Sequence, residues 1–523
     1  MSAERERHDG AVAGAELAKG SLVNVVETLA RNLRAIFTFL IARLLGGATL
    51  GIFSTAWNLT DIITQGAKFG LDQGMTTLVA TAEAKNDFAG SRSLLKRGLF
   101  WGVSISVATA AAAIAALRIW GERAGYDPEV VTMGTVLLCA IPGITLYYVG
   151  NGFSRGKKVM RHSILSKGLV ENATTIGVFV LLIVAGVGRL APGLAVLVGT
   201  ACGGLVAVRL AVRLMRRSPA GEPTGKSPHL IRFSAPIAGY QLLYVLAQNM
   251  DIVLLATYVG KVPGITLTSL GFYAASIEIA RGSRKLRQFI EPIFTPIVAG
   301  QLSAERYELV EESWNLSQRW MIALILALVG VLAVGGGLAL AIFGPEFRRG
   351  LVWMWILTAT YGVLSLTYLN DLLLMVQRPT INLMNSGLAV GLQLALMIWA
   401  IPRYGFVGAA LSMLASAIVL AAVTLLELRL FFDLHSRWSA VRRPLKAFVL
   451  ALAPAVVSRW LLASVLSTLW PAELVAALVF LGAYFAAWRW LGLDEADSRV
   501  VDQMRGRLRQ PKPRRSVRSL VDS

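Results

Sequence analysis

Apolar runs close to 20 residues long recur along almost the whole chain, separated by short polar segments. About 20 residues at 1.5 Å each is what an α-helix needs to cross the roughly 30 Å hydrocarbon core of a bilayer. The pattern predicts about fourteen transmembrane helices. They cover approximately 21–45, 51–80, 98–118, 131–151, 164–188, 191–213, 234–258, 267–299, 318–343, 351–376, 381–401, 407–429, 445–466 and 472–492. The expected fold class is all-α integral membrane. The polar segments between spans stay below roughly 25 residues, so no sizeable soluble domain is expected between them.

Composition agrees. Of 523 residues, 55% are apolar and 16% charged, against about 25% charged in soluble domains. Disordered and ordinary cytosolic classes are excluded. The net charge of +20 is sorted by side of the membrane. With both termini cytoplasmic, the inside segments carry Lys85, Arg92, Lys96, Arg97, Arg155, Lys157, Lys158, Arg161, Arg216, Arg217, Arg442 and Arg443. The outside loops hold Arg118, Arg123, Arg189, Lys261, Arg348, Arg349 and Arg403. Counting the basic tail as well, this is the Lys/Arg bias that sets membrane orientation. Most of the charge is therefore topogenic, and no nucleic acid partner is expected. Cys139 and Cys202 lie in apolar runs, and the four histidines lie in polar or boundary segments, so neither a disulfide framework nor a metal site is expected. Ala220–Ser227 looks like a phosphate loop, but its first glycine is one residue too close and no strand precedes it.

Two weak internal matches agree on one period. Leu50-Gly51-Ile52-Phe53 opens the second span and Leu270-Gly271-Phe272-Tyr273 the eighth. Lys167-Gly168-Leu169-Val170 and Ser386-Gly387-Leu388-Ala389 lie early in the fifth and eleventh. Both pairs point to two parallel six-helix lobes around a central cleft, related by an axis along the membrane normal. The expected organisation is a cytoplasmic arm (1–20), an N-lobe (21–217), a linker (218–233), a C-lobe (234–430), two extra helices (431–492) and a basic cytoplasmic tail (493–523).

A basic group at mid-bilayer costs about 2.5–3.5 kcal/mol, so such groups should face protein or water. The eighth span holds Glu278, Arg281, Arg284, Lys285, Arg287, Gln288 and Glu291. All but Arg287 fall within an arc of about 140° at 100° per residue. This is an anion-binding wall, or a salt-bridge network with Glu278 and Glu291, or a span that ends early. Arg31 and Arg34 repeat the theme in span one, where Glu27 could pair with Arg31. Span seven presents Tyr240, Gln241, Tyr244, Gln248 and Asp251 on one side. Rings beside amides suit a polyhydroxyl ligand, and ordinary helix–helix contacts would use the same residues. Asp61, Lys68 and Asp72 in span two read as a local ion-pair set, with the cleft as the alternative.

The chain resembles the polysaccharide transporter family, the Wzx-like oligosaccharide flippases of the multidrug/oligosaccharidyl-lipid/polysaccharide exporter superfamily. The resemblance covers about residues 20–445. It is carried by Ala42-Arg43-Leu44-Leu45-Gly46, Leu50-Gly51-Ile52-Phe53 and Gly70-Leu71-Asp72, by Asp251-Ile252-Val253-Leu254-Leu255 and Leu270-Gly271-Phe272-Tyr273, and by Phe343-Gly344-Pro345-Glu346-Phe347 and Ile401-Pro402-Arg403-Tyr404-Gly405-Phe406-Val407-Gly408-Ala409-Ala410. It implies a multi-pass protein of a bacterial plasma membrane that is a transporter and not an enzyme. Such a protein moves polyprenyl-diphosphate-linked oligosaccharide outward by alternating access, for exopolysaccharide, capsule or O-antigen. Arg31, Arg34, Arg281, Arg284 and Lys285 would hold the diphosphate. Tyr240, Tyr244 and Gln248, with Trp355 and the nearby Trp353 and Tyr361 of span ten, would face the sugars. No cofactor is expected beyond a coupling H+ or Na+, for which Asp61, Glu171, Asp251 and Glu278 are candidates. Membrane lipids, a polysaccharide polymerase and chain-length machinery are the expected partners. The alternatives are a lipid II flippase, a multidrug/cation antiporter of the same superfamily, and a membrane glycosyltransferase or polymerase. Lipid II flippases usually carry a Ser-Arg turn motif where this chain has Leu29-Ala30-Arg31-Asn32-Leu33. The basic eighth span argues against the antiporter, and the lack of a large outside loop against the enzyme.

Overall fold

The structure is a computed structural model. It describes the backbone of residues 2–219, 229–286, 294, 298, 301, 306–377, 379–435, 438–466 and 468–491. Side chains are described from residue 33 within those ranges, except 34, 372, 374–379 and 438–440.

The order is α1 (Ser2–Ala67), α2 (Leu71–Ala84), α3 (Phe88–Ala124), α4 (Pro128–Leu138), α5 (Ile141–Gly156), α6 (Arg161–Val184), α7 (Ala191–Arg216), α8 (Leu230–Ala256), α9 (Leu267–Ala280), α10 (Tyr307–Ala341), α11 (Leu351–Gln377), α12 (Pro379–Phe432), α13 (Trp438–Val465) and α14 (Leu469–Trp490). There is no strand among the described residues. Among the described residues eleven stretches are long and apolar enough to cross a membrane, against the fourteen expected over the whole chain. Two of them, Ala35–Ala84 and Thr380–Phe432, run for 50 and 53 residues. Each would be about 75 Å or more if straight, over twice the hydrocarbon thickness. Each turns instead at a glycine: Gly46 at φ 79° and Gly405 at φ 56°. These are backbone conformations that L-residues with a Cβ rarely adopt. The expected eighth span enters undescribed residues after Leu286.

The corners explain where the family-like patterns sit. Gly46 ends Ala42–Gly46, Pro402 and Gly405 belong to Ile401–Ala410, and Pro345 opens the short turn Pro345–Gly350 between α10 and α11. Those patterns specify corners.

The chain folds into two compact units: Met1–Ile279 with Leu340–Leu357 and Leu383–Ala417, and Ala280–Ala339 with Thr358–Asn382 and Ile418–Ser523. In the first, Leu71, Met75, Leu78 and Val79 of α2 pack with Leu94 and Leu95 of α3, Val149 and Phe153 of α5 and Ala211 of α7. At one end of this unit, Arg43 donates from Nε to the carbonyl of Ile342 at 2.7 Å and from Nη2 to that of Ala341 at 3.1 Å. A cation thus caps the C-terminal end of α10, where carbonyls lack intrahelical donors.

The Leu50–Phe53 and Leu270–Tyr273 patterns meet in this unit. A Cβ at Gly51 would collide with the Leu267 carbonyl oxygen, and one at Gly271 with the Gly47 carbonyl oxygen. Glycine lets the α1 and α9 backbones touch, the close approach that drives helix association in lipid.

In the second unit, Ala447, Ala451 and Ala455 of α13 form a stripe at helical spacing. It packs with Ala476, Phe480 and Tyr484 of α14 and Val334 of α10. The Tyr484 hydroxyl donates to the Ala323 carbonyl at 3.0 Å. Trp314 and Gln318 of α10 both donate to Asn370 Oδ1 of α11 at 3.0 Å, and Asn370 Nδ2 donates to Thr424 of α12 at 3.1 Å. A fully satisfied buried network fixes which helices pair.

Replacing Gly51 or Gly271 by Val is expected to destabilise the detergent-purified protein by roughly 1–3 kcal/mol or more through overpacking. Gly66→Ala, whose added methyl meets nothing within 4 Å, should melt like the wild type. Thermal unfolding checks both.

Candidate functional site

Within the stretch expected as one helix over 267–299, the first regular segment is Leu267–Ala280. The backbone turns at Arg281 and resumes as helix from Gly282 to Leu286. The Arg284 N–H donates to the Arg281 carbonyl at 3.1 Å, a contact three residues back rather than four. Gly282, a poor helix former, sits at the break. Residues 287–293, and with them Arg287, Gln288 and Glu291, lie outside the described residues.

The break leaves three cations on one short stretch. Arg281 and Arg284 are half-buried and Lys285 is exposed. Arg281 Nε donates to the Tyr361 hydroxyl of α11 at 3.5 Å, and the Arg284 guanidinium carbon stands 5.8 Å from the centroid of the same ring. Tyr361 is fully buried, so it faces the arginines and offers no open surface to a sugar. No described ion pair includes Glu278. Among the described residues, Glu278 therefore supplies none of the salt bridges offered as an alternative for these cations.

Arg31 and Arg34 lie on α1, and their side chains fall outside the described residues. The sugar candidates separate. Tyr240 and Tyr244 stack on α8, with centroids 6.3 Å apart and planes at 24°. Gln248 is buried, and Trp355 on α11 is 40% exposed. Trp353 packs against Phe406, with centroids 4.4 Å apart, and against Tyr273.

The acidic candidates have different surroundings. Asp61 is half-buried and accepts from the Asn249 amide at 3.0 Å. Asp251 is fully buried and accepts from the Tyr273 hydroxyl at 3.0 Å. Glu171 ends a π-helix, Ile164–Glu171, within α6, the kind of backbone bulge that recurs at functional sites. Among the described residues no three His, Cys, Asp or Glu side chains gather closely enough to hold a metal ion.

Lys68 and Asp72 form a local ion pair at 2.9 Å, both nearly inaccessible. The Gln241 amide of α8 approaches the Asp72 carboxylate at 3.4 Å. Asp61 is not part of that set. The sequence reading missed the ring pair beside it. Lys68 stands 4.5 Å over Tyr148, and Lys167 stands 4.9 and 5.3 Å from Tyr147 and Tyr148. The usable signal was two adjacent tyrosines inside an apolar span.

Residues 17–297 match the family model described as "Polysaccharide biosynthesis protein". The chain belongs to that family. The resemblance to polysaccharide transporters read from Ala42–Gly46 and its companion patterns is thereby borne out. Among curated proteins none matches. Among solved structures, the lipid II flippase MurJ in an inward closed conformation aligns at TM-score 0.66 and 12% identity, over 89% of this chain and 97% of that one. An inward-facing multidrug resistance MATE family transporter of the MOP superfamily aligns at TM-score 0.60 and 16% identity, over 78% and 94%. At these identities the likeness shows the fold: this polysaccharide biosynthesis family member is an all-helical, multi-pass membrane protein built like MATE and MurJ.

Lys68→Met should leave the Asp72 carboxylate buried without its counter-ion and destabilise by about 3–5 kcal/mol. The double variant Lys68→Met/Asp72→Leu should recover most of the loss. Thermal unfolding in detergent reads both.

Proposed function

We propose that the protein is a flippase that carries a polyprenyl-diphosphate-linked oligosaccharide from the cytoplasmic to the outer leaflet by alternating access, for surface polysaccharide assembly. The observation that carries this reading is the helix break at Arg281, with Arg281 and Arg284 gathered on one tyrosine. Interrupted helices mark binding sites in membrane transporters. Basic groups at such a site suit a diphosphate, because charge-assisted bonds to phosphate oxygens are short and strong and a guanidinium can contact them in pairs. Lys285 and the arginines of α1, Arg31 and Arg34, complete the assignment. Membership of a polysaccharide biosynthesis family supports a glycan cargo. MATE relatives of the same fold have been captured in both inward-facing and outward-facing conformations, which supports alternating access.

The polar head cannot cross hydrocarbon, while the tail need not leave it. Sugars would lie against the Tyr240–Tyr244 pair, Gln248 and Trp355. A diphosphate moving outward from a negative interior gains about 2.3 kcal/mol per charge per 100 mV. If the basic groups neutralise it and move with it, that help vanishes and H+ or Na+ must couple, through Asp61, Glu171, Asp251 or Glu278. Glu278 has no ion-pair partner among the described residues, so its charge is the least committed of the four. The termini would lie in the cytoplasm of a cell with an inner membrane, where a polymerase and chain-length machinery would take over the product.

A second reading, a lipid II flippase, is favoured by the 89% coverage on MurJ. Lipid extraction separates the two. In a deletion strain, a trapped inner-leaflet oligosaccharide-lipid is expected; trapped lipid II with cell lysis would replace the first reading by the second. Arg281→Ala and Arg31→Ala should each lose most surface polysaccharide while the protein still accumulates in membranes. Wild-type polysaccharide in both overturns the diphosphate assignment.

A further inference from the structure

We infer that Tyr361 is a positioning residue that joins Arg281 and Arg284 into one clamp, and that the clamp selects a diphosphate over a monophosphate. This rests on the reading of the basic stretch as the phosphate site.

The argument is one of preorganisation. Arginine side chains have many rotamers, and each loses that freedom when it binds. Here one rigid group restrains two of them before any ligand arrives. Its hydroxyl takes Arg281 Nε at 3.5 Å, and its ring lies 5.8 Å from the Arg284 guanidinium carbon, within the range of a cation–π contact. Tyr361 is itself pinned. It is fully buried, and Ser365 Oγ donates to its carbonyl at 2.7 Å and reaches the Ser283 carbonyl at 3.4 Å. That second contact ties α11 to Ser283, one of the two residues between the arginines. The Arg284 N–H to Arg281 carbonyl bond fixes the backbone between them as well.

A single phosphate is satisfied by the fork of one guanidinium, so holding two in register adds little to its affinity. Two linked phosphates need two guanidiniums at a set separation, and the restraint favours them alone. A tyrosine that merely filled space would not distinguish the two ligands.

The test uses full-length protein in nanodiscs, titrated with farnesyl diphosphate and farnesyl monophosphate, which share a tail and differ by one phosphate. The wild type should prefer the diphosphate by about tenfold or more. Tyr361→Leu should bring the ratio within about twofold, with monophosphate affinity unchanged. Tyr361→Phe keeps the ring under Arg284 and should lower the ratio about threefold. Arg281→Ala should weaken the diphosphate about tenfold and the monophosphate far less, since Arg284 remains. If Arg281→Ala leaves both affinities at the wild-type value, the phosphate site itself is wrongly placed. If Arg281→Ala weakens binding but Tyr361→Leu, folded and melting like the wild type, keeps the wild-type ratio, the clamp is refuted and the site stands. Should Tyr361→Leu fail to fold, an unchanged ratio in Tyr361→Phe refutes the clamp equally.

Discussion

Hydrocarbon offers a peptide group no hydrogen bond, and an unpaired N–H or C=O there costs several kcal/mol. This constraint organises the chain. It makes helix the default and turns every departure from helix into a place that needs a reason. Gly46 and Gly405 are corners between consecutive crossings. The π-helix of α6 and the break at Arg281 are different: neither is a corner built on a positive-φ glycine, and each carries charged side chains. Irregular backbone at membrane depth persists where protein or water supplies the missing partners.

Much of the architecture was legible because the bilayer imposes one length and one solvent. Runs of apolar residues located the helices, and Gly51 and Gly271 marked the repeat. The break at Arg281 was not legible. A hydropathy count gives the same answer whether a helix is continuous or interrupted, and Gly282 alone is a weak signal in membranes, where glycine is common. The surroundings of Tyr361 were hidden for a related reason. An aromatic residue on an apolar helix looks alike whether it faces a cleft or is enclosed by neighbours, and only three-dimensional packing separates the two. The Lys68–Asp72 pair could be read from its spacing of four, whereas Tyr148 beside it comes from another helix.

The sequence offset between the Leu50–Phe53 and Leu270–Tyr273 patterns brings out a further contrast. The period of 220 that aligns Gly51 with Gly271 also aligns Asp61 with Arg281. At that offset the sequence places a carboxylate opposite a guanidinium. The carboxylate takes an amide from α8; the guanidinium takes a phenol from α11.

The crossing of α1 and α9 has a mechanical consequence. At Gly47, Gly51 and Gly271 the helices meet main chain on main chain. A contact of this kind has no rotamers to re-sort and almost nothing to compress. It resists translation along the line joining the two axes yet leaves rotation about that line comparatively free. Two rods welded at a smooth bearing tilt before they slide, so any large rearrangement in this part of the protein should turn about that point.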